Sequence, residues 1–253
     1  MNISEFVGRF VFVRKCVGCK ELIEYERNGD AFCAACREKW DRARISECKI
    51  CLRVASGCEC MPKRLSESGA LCLRKIFIYD REETDSVQNK LIYFLKKNNN
   101  RRAVGFISGE ISQILTEPAK NIGIPPEDII LTFVPRSKKA KLNYGFDQSE
   151  IICKELSRIS GTGFLPVISR KRLRTGEKSP EQKKLSAAER NREMKNAFRI
   201  RNPEIVKGKC VIVFDDIVTT GASVGACADL LISAGAKHVY AVCIAYTDLK
   251  KKS

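Results

Sequence analysis

Apolar and polar positions change their spacing several times along the chain, and each change marks an expected element. Leu71 to Tyr79 reads as a strand. Thr84 to Lys97 repeats its apolar residues at helical spacing and ends in Asn98-Asn99-Asn100, and a second helix is expected over Ala103 to Leu115. Ile129 to Val134 is a short run, apolar except for Thr132, and reads as a buried strand. Asp147 to Ser160 returns to helical spacing, with apolar residues at 151, 152, 156 and 159. The four residues Val211-Ile212-Val213-Phe214 form a second buried strand. A helix over 222–234 follows, with Gly235 as its C-cap, and Val239 to Ala245 closes the pattern as a last strand. Strands alternating with helices imply an α/β fold with a parallel sheet. Two stretches break the pattern. Residues 61–70 are polar and turn-rich and read as a linker. Residues 170–196 are charged, contain Gly176 and Pro180, and lack apolar periodicity until about Leu185, so they read as a long exposed excursion of the kind tied to function or disorder.

The chemistry concentrates where the 211 strand ends. Asp215 and Asp216 follow four apolar residues, and the tight turn Thr219-Thr220-Gly221 then opens a helix with Ala222 and Ser223. That order suits a sugar phosphate. Carboxylates accept hydrogen bonds from the 2- and 3-hydroxyls of a ribose, and the N–H groups of a turn at a helix N-terminus cradle a 5-phosphate. Ligands of open α/β sheets bind outside the carboxyl ends of the strands. An acidic strand end followed by an ordinary N-capped helix would use the same residue types. The stretch resembles the phosphoribosyl pyrophosphate (PRPP) motif of type I phosphoribosyltransferases.

Eight of the 13 cysteines fall before residue 61, in close pairs. Cys16, Cys19, Cys33 and Cys36 have the spacing of a tetrathiolate zinc ribbon, each pair forming a knuckle and the intervening residues a hairpin. Gly18 suits the close turn around the sulfurs. Cys48, Cys51, Cys58 and Cys60 form a shorter, less regular set of four. One or two structural zinc ions are expected, with knuckles shared sequentially or crosswise, and the metal should supply the folding energy of so small a module. Cys72, Cys153, Cys210, Cys227 and Cys243 sit in apolar surroundings and read as small core residues. The expected division is a double zinc ribbon over 1–65 and an α/β domain over 71–253.

The net charge of +16 is uneven: residues 136–201 hold 18 Lys and Arg against 7 Asp and Glu, while residues 1–60 hold 11 against 9. A basic patch of this kind favours polyanions, although a generally basic, solvated surface has the same composition. No apolar run is long enough to span a membrane, and the N-terminus lacks the layout of a secretory signal. The chain therefore reads as cytoplasmic.

Zinc knuckles, a strand, a Lys-rich helix, Val134-Pro135 with a basic run, Tyr144-Gly145-Phe146-Asp147-Gln148, Gln182-x-x-Leu185-Ser186 and the acid-pair turn occur in one order that resembles the ComF family. The resemblance covers about residues 12–246. It implies a type I phosphoribosyltransferase-like parallel sheet flanked by helices, carrying a small N-terminal zinc-ribbon module and associated with DNA uptake in natural competence. Matched position by position, it makes Asp215 and Asp216 ribose-binding and catalytic acids, Thr219, Thr220, Gly221, Ala222 and Ser223 the 5-phosphate loop, and Pro135 to Lys141, with Arg136, Ser137 and Lys138, the pyrophosphate loop. Arg190 and Phe198 also match. Tyr144 and Asp147 replace the family's Arg and Asn, Glu193 stands where Asn is usual, and Ser137 where His is frequent. PRPP with Mg²⁺ is the implied ligand. Single-stranded DNA is an implied partner, with Lys138, Lys139, Lys141, Arg170, Lys171, Arg172 and Arg174 as candidate contacts, together with DNA-import and recombination proteins. Lys183 and Lys184 are further candidates to neutralise a leaving pyrophosphate. No hood enclosing a nucleobase is visible in the sequence. Trp40 either stacks a base or packs against the ribbon, and His238, the only histidine, reads as a surface residue. A DNA-handling protein that binds PRPP and an active phosphoribosyltransferase with an unidentified acceptor both fit.

Overall fold

The computed structural model describes residues 14–23, 30–79, 85–171 and 197–247. Strands β1 (Leu73–Ile78), β2 (Ile129–Phe133), β3 (Gly163–Phe164), β6 (Cys210–Val218) and β7 (His238–Tyr246) form one sheet in the order β1-β7-β6-β2-β3. All its pairings are parallel. A two-stranded antiparallel ribbon, β4 (Ile168–Arg170) with β5 (Phe198–Ile200), stands apart from it. The central strands are rich in β-branched and other apolar residues because both faces are covered.

Strand alternation sorts their side chains into two cores. Leu131, Phe133, Ile212, Phe214, Val242 and Ile244 meet helices α1 (Ala34–Arg44), α3 (Val87–Lys97), α4 (Arg101–Leu115), α5 (Glu117–Asn121) and α7 (Gln148–Ser160) on one face. Val211, Val213, Val239, Ala241 and Cys243 meet α2 (Lys63–Ser66) and α8 (Ala222–Ser233) on the other. Each large apolar side chain so buried contributes about 1.5–3 kcal/mol. Helix ends follow local chemistry. Asn100 and Ser137 accept the N–H groups of Ala103 and Ala140, capping α4 and α6 (Lys138–Tyr144). Gly145, Gly161 and Gly235 take φ of 76°, 72° and 90° just past α6, α7 and α8.

The order of connections creates a crevice. From β2 the chain crosses through α7 to β3 on one side; from β6 it crosses through α8 to β7 on the other. Neighbouring strands whose connections diverge leave an opening at their carboxyl ends. Pro135 and Arg136 follow β2 there, and Asp215 to Gly221 end β6.

Several expectations need correction. The strand at 211 runs on through both aspartates to Val218, because β7 continues to pair with it at Asp215, Ile217 and Val218. Residues 61–70 are not a linker: they contain α2, Leu65 is fully buried, and the segment seats on α8. Cys33 and Cys36 open α1, with Cys33 as its N-cap residue, and residues 24–29 of the hairpin expected between the knuckles lie outside the described residues. The helix expected from Thr84 begins at Val87, and Thr84 lies outside the described residues. The basic run at 138–141 is helical, forming the start of α6. The excursion, including Arg172, Arg174, Gln182, Lys183, Lys184, Leu185, Ser186, Arg190 and Glu193, also lies outside them.

Candidate functional site

At the crevice, strand alternation turns Asp215 and Asp216 to opposite faces of the sheet. Asp216 shares its face with α3 and α7 and stands 3.7 Å from both Lys96 Nζ and Arg136 Nη2. Asp215 faces α8. Its carboxylate accepts the Asp216 N–H at 3.0 Å, and the Asp216 carboxylate accepts that of Ile217 at 2.8 Å. Burial, followed by the neighbouring Asp216 charge, pushes the Asp215 carboxyl well above the usual carboxylate range. A site that must ionise a resisted carboxylate is suited to a cationic or hydroxyl-donating ligand.

The turn beyond is built around Gly221, whose φ of +73° and close neighbours admit no side chain. A Cβ there would lie 2.9 Å from Pro62 Cγ. The Thr220 hydroxyl accepts the Ala222 N–H at 3.4 Å. Thr220 is exposed, and Thr219, Ala222 and Ser223 are half-buried. The first turn of α8 thus presents amide groups beside the acid pair, where an anion is favoured.

Arg136 bridges the two strands. Its Nη2 donates to Gln148 Oε1 at 2.7 Å, its backbone N–H donates to Asp147 Oδ2 at 3.0 Å, and its guanidinium lies 5.7 Å from the Tyr144 ring centroid. Lys141 pairs with Asp147 at 3.1 Å. Ser137 is occupied as the cap of α6, whereas Lys138 and Lys139 are exposed. Arg170 donates to Pro135 O at 3.0 Å and lies over the Phe198 ring, so it braces the loop after β2; Lys171 is exposed. The structure therefore gathers Asp215, Asp216, Arg136 and the 219–223 turn, and leaves Lys138, Lys139 and Lys171 as exposed cations. Lys96, Asp147 and Gln148 also join the site. Nothing in the local spacing of Lys96 signals this; it arrives because α3 ends above β6.

Residues 150–252 match the phosphoribosyl transferase domain family. The matched segment carries β3 to β7 and α8, and with them both acids and the turn. Over 158 residues the chain is 31% identical to the "DNA utilization protein YhgH" of Salmonella typhi and 32% identical to that of Escherichia coli O157:H7. The protein of that name from Escherichia coli strain K12 is 31% identical. Each comparison covers 62% of this chain and 66% of the relative, so the chain spans just under two thirds of the length of these relatives. A solved structure described as the allosteric regulatory enzyme of purine biosynthesis superposes with a TM-score of 0.39 at 16% identity, over 62% of this chain and 30% of that one.

Outside the phosphoribosyltransferase match, the N-terminal cysteines gather into two groups in sequential order. They are Cys16, Cys19, Cys33 and Cys36, and Cys48, Cys51, Cys58 and Cys60, with the sulfurs of each group within 4.8 Å of one another. Four sulfurs at about 2.3 Å from a tetrahedral ion are about 3.8 Å apart, and the Cys19–Cys33 and Cys51–Cys58 separations are 3.6 and 3.5 Å. The Cys16 sulfur accepts the N–H groups of Gly18 and Cys33, both at 3.3 Å, as a thiolate ligand would. Burial and the neighbouring sulfurs push the Cys60 thiol up to about 12. Each group fits a metal ion. A Cβ on Gly18 would lie 2.7 Å from Cys36 Sγ, which makes that glycine obligatory.

Trp40 is fully buried. It packs against Phe32, Phe77 and Phe106 and donates from Nε1 to Glu110 Oε2 at 3.3 Å, so it is not available to stack a base. Cys153, Cys227 and Cys243 are buried, with burial raising each thiol, and serve as core residues. No helix among the described residues is long and apolar enough to cross a membrane.

Proposed function

We propose that this chain is a ComF-like cytoplasmic protein that handles single-stranded DNA during natural transformation and binds PRPP in its phosphoribosyltransferase domain. The observation that carries the ligand reading is the acid pair in the C-terminal part of β6, ahead of a glycine turn that opens a helix at the divergent β2–β6 crevice. Asp215 and Asp216 accept the ribose hydroxyls, the amides of 219–223 hold the 5-phosphate, and Arg136 with Ser137 and Lys138 lies toward the pyrophosphate. Mg²⁺, when bound with PRPP, neutralises pyrophosphate charge. Zn²⁺ is the ion proposed for both cysteine groups, because a tetrahedral tetrathiolate favours it.

The DNA reading is supported by the name the relatives carry and by exposed Lys138, Lys139 and Lys171 on the basic segment. DNA-import and recombination proteins are the proposed protein partners. A second reading, an active phosphoribosyltransferase, is supported by the acid pair and by Arg136, 3.7 Å from Asp216, a cation of the kind that stabilises leaving charge. Titration with Mg²⁺–PRPP tests the ligand site, and absence of binding would refute it. Release of pyrophosphate in the presence of candidate acceptors, abolished by Asp215→Ala, selects the enzyme. Salt-sensitive binding of single-stranded DNA that survives Asp215→Ala selects the DNA handler.

A further inference from the structure

Lys75, in the middle of β1, is fully buried. Its Nζ donates to the carbonyls of Cys58 at 3.0 Å and Cys60 at 2.5 Å, and it lies 5.3 Å from the Tyr246 ring centroid. Among the described residues no carboxylate pairs with it. A buried ammonium is strongly unfavourable without a compensating negative charge. The second cysteine group supplies one. Four thiolates around a divalent ion carry a net charge of −2, and Lys75 holds the knuckle that provides two of them.

The same knuckle leads directly to the turn before α8. After Cys60 the chain runs through Met61 to Pro62, whose ring occupies the space a side chain at Gly221 would need. Leu65 Cβ would stand 3.4 Å from the same added atom. One turn further along α8, a Cβ on Gly225 would meet the Arg64 carbonyl oxygen at 2.8 Å. Arg64 also forms an ion pair with Asp229. Residues 62–65 are thus the seat on which the 219–223 turn and the first turns of α8 rest. The first cysteine group faces elsewhere: Gly18 abuts Val87 of α3, and Val17 joins the core on the opposite side of the sheet.

We propose that the second cysteine group, loaded with its metal, positions the sugar-phosphate turn, and that Lys75 is the buried counter-charge and positioning residue of that metal site. This rests on the reading of 219–223 as a phosphate cradle. Without the metal, Lys75 loses its compensating anion and the 58–60 knuckle loosens. Pro62 then no longer fixes Gly221, and the amides that would meet a phosphate lose their common direction. Ligand affinity depends on such preorganisation.

The test uses the full chain and two variants. Lys75→Met keeps the length and removes the charge; Pro62→Gly removes the seat and leaves both cysteine groups untouched. Zinc is measured by elemental analysis and chelator competition, and Co²⁺ substitution reports the thiolate geometry of each site. For Lys75→Met, one of the two ions is held about 10- to 100-fold more weakly, and Mg²⁺–PRPP binds about 10-fold or more weakly by calorimetry. For Pro62→Gly, both ions are retained and only Mg²⁺–PRPP binding falls. Unchanged zinc affinity in Lys75→Met overturns the counter-charge role. Loss of the second zinc, or of Pro62, without loss of Mg²⁺–PRPP affinity overturns the seat. If the unaltered protein does not bind Mg²⁺–PRPP at all, the proposed ligand site fails, while chelator competition still decides the role of Lys75.

Discussion

Replacing Asp215 by Asn should stabilise the fold and disable the site. Asn has almost the same shape, and its Oδ1 can still accept the Asp216 N–H that the carboxylate accepts at 3.0 Å, so no cavity is created. What changes is the charge. Burial and then Asp216 hold the Asp215 carboxyl well above its ordinary value in the folded protein, so the folded state retains a proton that the unfolded chain releases. The contribution of such a group to stability is complete below the unfolded value, about 3.9, and is lost as pH rises toward the folded value. Asn carries no such penalty at any pH. Relief of a buried, poorly compensated group corresponds to about 1–3 kcal/mol, or about 2–4 °C in Tm per kcal/mol for a chain of this size. Thermal melts at pH 4 and pH 8 measure it: the two proteins should melt together at pH 4 and separate at pH 8, with the variant higher. Losing charge-assisted hydrogen bonds to a ribose should weaken Mg²⁺–PRPP by about 10- to 100-fold. A variant that melts below the wild type at pH 8, or binds Mg²⁺–PRPP unaltered, refutes the reasoning.

Three further outcomes are expected. Chelation should loosen α1, free Trp40 from Phe32 and Phe106 and shift its emission to the red while the sheet signal in circular dichroism persists; simultaneous loss of both would show that the cysteine module and the sheet, which share one core, unfold as a single unit. Gly18→Ala places a methyl 2.7 Å from Cys36 Sγ, so the metal content should fall by one ion per chain, and two retained ions by mass spectrometry would contradict the first site. Reversing the charge of exposed Lys138 and Lys139 should lower the salt dependence of single-strand binding by about 0.7 in log–log slope for each phosphate no longer neutralised; an unchanged slope would remove α6 from the DNA surface.

Local pattern alone determined much of this protein. Runs that are almost wholly apolar, at 129–134 with Thr132 as the one polar residue and at 211–214, are best satisfied between two covered faces, so they announce a parallel sheet without any knowledge of its order. The cysteine pairs are equally local, because two thiols separated by two residues already make half of a metal site. The acid pair followed by Gly221 is legible for the same reason: strand, turn and helix N-terminus are consecutive in the chain. Partnerships across the fold were not legible. Lys96 reaches Asp216 from a helix more than a hundred residues earlier, and only the β1-β7-β6-β2-β3 order brings them together. Residues 61–70 have the composition of a linker, yet Pro62, Arg64 and Leu65 are held against two glycines of α8 and the turn before it. Composition records how a residue prefers to meet water, whereas burial depends on what the rest of the chain places above it. For that reason nothing around Lys75 in the sequence marks it as a core residue, and only the tertiary structure encloses it beneath the second cysteine group.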